Sequence, residues 1–125
     1  MAILIVDDNP VNRRILQFHL DGAGFETVSA KGGSEALSVL TSRSDVELML
    51  VDIVMPEMNG WQLIAEVRKH AEWAGLPVIV ISAYGDLPAV QKAKDLGITR
   101  FVVKPINTDY LLREIRSALR EPRPG

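Results

Sequence analysis

Short apolar runs alternate along the chain with amphipathic segments, and a polar or charged residue directly follows four of these runs. The runs are residues 3–6 before Asp7 and Asp8, residues 48–51 before Asp52, residues 78–81 before Ser82 and residues 101–103 before Lys104. Continuous Val, Ile and Leu are typical of strands buried on both faces, as in a parallel sheet covered by helices. A further strand is predicted over residues 26–30. The pattern therefore predicts five buried strands.

The segments between these strands have helical spacing. In the first segment, Asn9 suits the N-cap and Pro10 the first turn of a helix that Gly22 and Gly24 close. The apolar stripe of this helix is predicted to face the core of the domain and contains Val11, Ile15, Leu16, Phe18 and Leu20. Four more helices are predicted, over about residues 33–42, 60–71, 87–96 and 108–119.

A strand followed by a helix, five times over, predicts an α/β fold with a doubly wound parallel sheet and right-handed crossovers. We expect the flavodoxin-like (βα)5 arrangement with strand order 2-1-3-4-5, whose switch point lies between strands 1 and 3. One domain accounts for residues 1–120, and residues 121–125 are expected to be a disordered tail or a trimmed linker.

Composition narrows the class of protein. Of the 125 residues, 47% are hydrophobic and 24% are charged, as in ordinary globular domains. A net charge of −2 argues against direct nucleic-acid binding, and the absence of cysteine excludes disulfides and thiolate metal sites. No apolar stretch is long enough to span a bilayer or to act as a signal peptide. We therefore expect a cytoplasmic location.

The polar residues after the strands should meet, because the carboxyl ends of parallel strands lie at one edge of the sheet. The switch point would bring Asp7 and Asp8 close to Asp52. A single Asp at a strand end is commonly a helix cap, but three clustered carboxylates repel one another unless a cation offsets their charge. Mg²⁺ prefers such hard oxygen ligands. We therefore predict a Mg²⁺ site.

Asp52 is the candidate nucleophile at this edge. A carboxylate can attack a phosphoryl group to give an aspartyl phosphate, a reaction that depends mainly on positioning and charge neutralisation. Lys104 offers an ammonium and Ser82 a hydroxyl for the phosphoryl oxygens. The simpler interpretations are a solvated surface lysine and a turn-forming serine.

Four separated motifs resemble the response-regulator receiver domain of two-component signalling, over about residues 2–119. They are Val-Asp-Asp at 6–8, Val-Asp-Ile-Val-Met-Pro-Glu-Met-Asn-Gly at 51–60, Ile-Ser-Ala at 81–83 and Val-Lys-Pro at 103–105. The resemblance implies that Asp52 accepts a phosphoryl group from a histidine kinase or a histidine phosphotransfer domain. It also implies that Asp7, Asp8, Asp52 and the backbone carbonyl of Val54 hold Mg²⁺, that Ser82 and Lys104 contact the phosphoryl group, and that the bond before Pro105 is cis.

Phe101 matches the aromatic switch position of that family. The resemblance implies that Ser82 moves toward the phosphoryl group, that Phe101 turns inward, and that the surface of the fourth helix, fifth strand and fifth helix changes. The alternative for Phe101 is a simple core residue.

Val54 and Tyr84 match positions that tune hydrolysis of the aspartyl phosphate. Because Val54 cannot orient a water, we expect slow autodephosphorylation.

The resulting hypothesis is a signalling switch rather than an enzyme with turnover. It would control a downstream protein effector as a monomer or a phosphorylation-dependent dimer, without contacting nucleic acid or membrane. It could be a stand-alone regulator or the receiver of a hybrid kinase, and the helix start at residues 8–14 resembles phosphorelay receivers.

Three alternatives stay open at this point. A phosphatase of the haloacid-dehalogenase type needs an Asp two residues after the nucleophile, where this chain has Val54. A flavin carrier needs a phosphate loop after the first strand, where this chain has acidic residues. A degenerate receiver would act as an unphosphorylated docking module, despite its intact set of Asp7, Asp8, Asp52, Ser82 and Lys104.

Overall fold

Five parallel strands form one sheet in a computed structural model that describes residues 1–83, 87–98 and 100–121, with the backbone alone for 87–90. The strands are β1 (Ala2–Val6), β2 (Glu26–Ala30), β3 (Val46–Asp52), β4 (Val78–Ser82) and β5 (Arg100–Val103), and their order is β2-β1-β3-β4-β5. The predicted fold class and strand order are therefore confirmed. The tail at residues 122–125 lies outside the described residues.

Five α-helices connect the strands and continue the chain after β5. They are α1 (Pro10–Gly22), α2 (Gly33–Ser42), α3 (Gly60–Lys69), α4 (Leu87–Asp95) and α5 (Thr108–Arg120), with a short 3-10 helix over Ala71–Trp73 before β4. Asparagine side chains cap three of them by accepting backbone N–H bonds: Asn9 before α1, Asn59 before α3 and Asn107 before α5. None of these helices, as far as the chain is described, is long and apolar enough to cross a bilayer.

Alternating residues of the strands divide the core into two clusters, one on each face of the sheet. On one face, Leu4 and Met49 pack among buried residues of α2, α3 and α4. On the other, Ile5 and Leu50 pack among buried residues of α1 and α5. Because both faces are covered, nearly every position of β1 and β3 must be apolar, which explains the continuous runs in the sequence.

The predicted core stripe of α1 is wrong in three of its five positions. Val11, Ile15 and Phe18 are 62%, 50% and 75% exposed, whereas Leu16 and Leu20 are buried. At about 100° per residue, these two sets lie on nearly opposite sides of the helix. Both have helical spacing, so periodicity could not decide which one faces the sheet.

Candidate functional site

The carboxyl ends of the strands converge at one edge of the sheet. Val6 pairs with Val51, Asp52 pairs with Ile81, and Ser82 pairs with Val103, all in parallel register. The residues that follow β1 and β5 therefore lie beside the last residues of β3 and β4. This register is what gathers Asp7, Asp8, Asp52, Ser82 and Lys104 into one region.

Three carboxylates meet at this edge. One oxygen each of Asp7, Asp8 and Asp52 lies within 4.8 Å of the others. Asp7 and Asp52 are buried, whereas Asp8 is exposed. Burial raises the pKa of Asp7, and the negative charges of Asp52 and Asp8 raise it further, against the lowering effects of the Asn9 N–H bond and of Lys104. A divalent cation would relieve this repulsion, and three carboxylates are a fitting hard donor set.

Contacts on both oxygens hold the side chain of Asp52. Oδ1 accepts a hydrogen bond from the backbone N–H of Val54 at 3.1 Å, and Oδ2 forms an ion pair with Nζ of Lys104 at 3.0 Å. The Asp52 side chain is only 7% exposed, and that of Lys104 is 32% exposed. The lysine thus reaches from the solvent side to a nearly buried carboxylate.

The segment between β3 and α3 turns sharply beside Asp52. Glu57 has a positive φ of 65°, and Met55 is buried, while Val54 is 76% exposed. Gly60 begins α3 in close contact with the chain just before it: a Cβ placed there would lie 2.6 Å from the carbonyl oxygen of Asp52. The absence of a side chain at Gly60 therefore allows α3 to start directly against the acid-bearing strand end.

Lys104 and Ser82 are held together through the backbone. The N–H of Lys104 donates to the carbonyl of Ser82 at 2.8 Å, and the Lys104–Pro105 peptide bond is cis. Ser82 itself is half-buried at the end of β4. Lys104 thus directly follows β5 beside the end of β4, and its ammonium reaches Asp52 on the next strand.

Two predicted residues remain: Phe101 at the switch position and Tyr84 at a position that tunes hydrolysis. Phe101 is half-buried on β5 and packs against the cluster beneath α2, α3 and α4. Tyr84 lies outside the described residues.

Two features beside the site were not found by sequence reasoning. The guanidinium of Arg13 donates to the main-chain carbonyl of Asp7 at 2.6 Å. A groove of about 280 Å³ runs from Asp7 and Lys104 to Ile15 on α1 and Leu111 on α5. In the sequence, the only indication of Arg13 is the pair of basic residues, Arg13 and Arg14, in the helix that Asn9 caps. The groove had no signal, because it depends on how two helices distant in sequence pack.

Comparison with known proteins identifies relatives across nearly the whole chain. The family model for the response regulator receiver domain matches residues 3–116. The transcriptional regulatory protein GlrR of Escherichia coli is 38% identical over 123 residues, which are 98% of this chain but 27% of GlrR. The chain thus spans about a quarter of that relative's length. A chemotaxis protein CheY homolog of Campylobacter jejuni is 33% identical over 95% of this chain and 92% of its own length.

Solved structures give the same result at the level of the fold. A receiver protein from Pseudomonas putida superposes with a TM-score of 0.87 at 33% identity, covering 93% of this chain and 95% of the other. The chemotaxis protein CheY4 of Vibrio cholerae superposes with a TM-score of 0.89 at 27% identity, covering 94% and 97%.

Proposed function

Because the chain belongs to the response regulator receiver domain family, we propose that it is a phosphorylation-dependent signalling switch whose phosphoacceptor is Asp52. The observation that carries this proposal is the setting of one carboxylate. Asp52 is nearly buried, is oriented by a backbone N–H, is paired with Lys104 and lies beside two further carboxylates. This arrangement supplies both a positioned nucleophile and the charges that a phosphoryl group needs.

In the proposed reaction, a carboxylate oxygen of Asp52 attacks the phosphorus of a phosphohistidine on the donor. A P–O bond forms as the P–N bond breaks, and the electron pair of that bond returns to the imidazole nitrogen. The hydrogen bond from the N–H of Val54 orients the attacking group. Lys104, already 3.0 Å from Asp52, would shift its ammonium to the negative phosphoryl oxygens.

Asp7, Asp8 and Asp52 are the residues that would hold Mg²⁺, with the main-chain carbonyl of Val54 as a further ligand. When bound, the ion would neutralise charge on the carboxylates and on the phosphoryl group. The raised pKa of Asp7 is consistent with this assignment, because burial raises it first and the negative charges of Asp52 and Asp8 add to the effect. Ser82, on the adjacent strand end, would donate its hydroxyl to a phosphoryl oxygen.

The outer side of α1 is the proposed docking face for the protein donor, a histidine kinase or a histidine phosphotransfer domain. We define this α1 face as Val11, Ile15 and Phe18, all at least half exposed. It is continuous with the groove that leads to Asp7 and Lys104. Exposed apolar residues beside a reactive group are a common mark of a protein interface.

Signal output is proposed to follow from a shift in the surface of α4, β5 and α5. Ser82 and Phe101 lie on the neighbouring strands β4 and β5, with Phe101 paired to Val80. Movement of Ser82 toward the phosphoryl group would let Phe101 turn further inward and alter the partner-binding face. The downstream partner is proposed to be a protein effector.

The intact set of Asp7, Asp8, Asp52, Ser82 and Lys104 argues against a degenerate receiver used only for docking. A module without phosphoryl transfer has no need for three adjacent carboxylates whose mutual repulsion disfavours the folded state. Slow autodephosphorylation would make the domain a timed switch rather than a turnover enzyme.

The proposal is tested by incubating the chain with acetyl phosphate and Mg²⁺ and measuring its intact mass. We expect gain of one phosphoryl group, and no gain with Asp52→Asn or with a chelator. A folded wild-type chain that gains nothing from acetyl phosphate or from phosphorylated histidine phosphotransfer domains would contradict the proposal. A gain that persists in Asp52→Asn would place the acceptor elsewhere.

A further inference from the structure

Arg13 connects helix α1 to the loop that carries two of the three carboxylates. Its Nη1 donates to the main-chain carbonyl of Asp7 at 2.6 Å, across six residues, and its side chain is half-buried. A hydrogen bond from a charged donor is stronger than a neutral one. The bond therefore ties the end of β1 to the second turn of α1.

The carbonyl in question belongs to the peptide group between Asp7 and Asp8. Its orientation sets the direction in which the chain enters Asp8. The neighbouring residues are also held: the N–H of Asp7 donates to the carbonyl of Ala30, and the N–H of Asn9 donates to Oδ1 of Asp7. Within the described residues, by contrast, the exposed carboxylate of Asp8 has no hydrogen bond or ion pair. Asp8 is therefore placed by its backbone.

The action of Arg13 on this site is geometric. Its guanidinium donates to the main-chain carbonyl of Asp7, so it fixes the backbone of the loop. A positive charge near a cation site would in any case weaken cation binding. If Arg13 acts by positioning, its replacement by a neutral residue should weaken Mg²⁺ binding. If it acts only through its charge, the same replacement should strengthen Mg²⁺ binding.

We propose that Arg13 is a positioning residue that holds the Asp7–Asp8 peptide in the orientation in which Asp8 can bind Mg²⁺. This inference rests on the proposed function, because it assumes that the three carboxylates bind the ion. Groups that orient metal ligands typically change affinity by about 10- to 100-fold when removed. Without the bond, the peptide could rotate, and ordering it would oppose binding.

The experiment is calorimetric titration of the unphosphorylated chain with Mg²⁺, which needs no phosphoryl transfer. We expect Arg13→Met to raise the dissociation constant for Mg²⁺ about tenfold, and Arg13→Lys to restore part of the loss. Arg14→Met is the matched control, because Arg14 is the exposed neighbour and forms no hydrogen bond within the described chain. It removes the same charge and should leave the affinity nearly unchanged.

Every other outcome contradicts one of two claims, the positioning role of Arg13 or the metal site itself. If wild type binds Mg²⁺ and Asp8→Asn does not, yet Arg13→Met binds like wild type or more tightly, the positioning role is wrong and the metal site stands. Equal weakening by Arg13→Met and Arg14→Met would also refute it. A fall in melting temperature of Arg13→Met without a change in affinity would leave Arg13 with a purely structural role. If wild type itself fails to bind Mg²⁺, the proposed metal site fails.

Discussion

Asp52 illustrates how a few contacts hold one candidate functional side chain. One of its oxygens is held by the N–H of Val54 and the other by the ammonium of Lys104. A glycine at position 60 lets the next helix begin against its carbonyl. At the scale of single residues, the candidate site depends on backbone groups and on the absence of a side chain as much as on acidic residues.

Gly60→Ala should destabilise the fold. The new Cβ would lie 2.6 Å from the carbonyl oxygen of Asp52 and 2.8 Å from Cα of Ile53, so the backbone itself must move. Overpacking of this kind costs about 1–3 kcal/mol, and urea denaturation would measure the loss of unfolding free energy.

Gly33→Ala is the matched control for that substitution. Gly33 likewise begins a helix, but the nearest atoms to its Cβ would all belong to the flexible side chain of Met58, which can move at lower cost than the backbone. An equal or larger loss in Gly33→Ala would contradict the distinction between backbone and side-chain contact.

Val54→Asn should shorten the lifetime of the aspartyl phosphate several-fold. Val54 is 76% exposed and its N–H contacts Asp52, so a polar side chain there could orient an attacking water. The decay of the phosphorylated mass after removal of acetyl phosphate measures the lifetime. Val11→Asn, at an exposed valine on α1, should leave it unchanged. An unaltered lifetime in Val54→Asn would refute this role.

At the scale of elements, α1 has two apolar sides with different uses. Leu16 and Leu20 pack on the sheet, whereas Val11, Ile15 and Phe18 face outward. A helix needs only one of these sides for folding. The outward side meets the groove that reaches Asp7 and Lys104 at Ile15, which is why we propose it as the docking face for the phosphoryl donor.

Phe18→Ser should therefore slow phosphoryl transfer from a protein donor without affecting reaction with acetyl phosphate. Because Phe18 is 75% exposed, its loss should change the unfolding free energy little, whereas truncation of an aromatic hot-spot residue costs about 2 kcal/mol or more of binding free energy. Initial rates with a phosphorylated histidine phosphotransfer domain would measure the effect.

Tyr110→Ser is the control for the α1 face, since Tyr110 is a 41% exposed aromatic residue on α5. It should transfer at the wild-type rate. Equal slowing by both substitutions, or slowing of the acetyl phosphate reaction by Phe18→Ser, would contradict a docking role for α1.

At the scale of the whole molecule, the sheet brings like charges from the ends of β1 and β3 together, with Asp7 and Asp52 buried. This arrangement costs folding free energy in the absence of a cation, because burial of Asp7 and then its repulsion by Asp52 and Asp8 raise the pKa of that carboxyl. Binding of Mg²⁺ to the folded state alone would recover it, because a ligand of the native state raises stability.

We therefore expect Mg²⁺ to raise the melting temperature, by roughly 10 °C at about 100 times its dissociation constant. Asp7→Asn should melt higher than wild type without Mg²⁺, since it removes a buried negative charge, and should lose most of the response to the ion. Scanning calorimetry with and without Mg²⁺ measures both. Glu72→Gln, at an exposed acid of the 3-10 helix, should behave like wild type. A lower metal-free melting temperature in Asp7→Asn would refute the repulsion argument.

The sequence by itself determined the order of elements, the parallel sheet and the edge at which the acids gather. These follow from local patterns: buried strands require continuous apolar runs, and parallel strands require their carboxyl ends to share one edge. Asn9 and Pro10 likewise mark the start of α1 by local chemistry. The four motifs are also local patterns, and the family that they resemble is the family that the comparison identifies.

Only the tertiary structure decided which side of α1 faces the sheet, because Val11, Ile15 and Phe18 have the same helical spacing as the buried leucines. It also decided the ion pair between Lys104 and Asp52, across 52 positions, and the bond from Arg13 to the carbonyl of Asp7. Periodicity describes one element at a time. Such contacts depend on how elements pack against one another, which no local pattern contains.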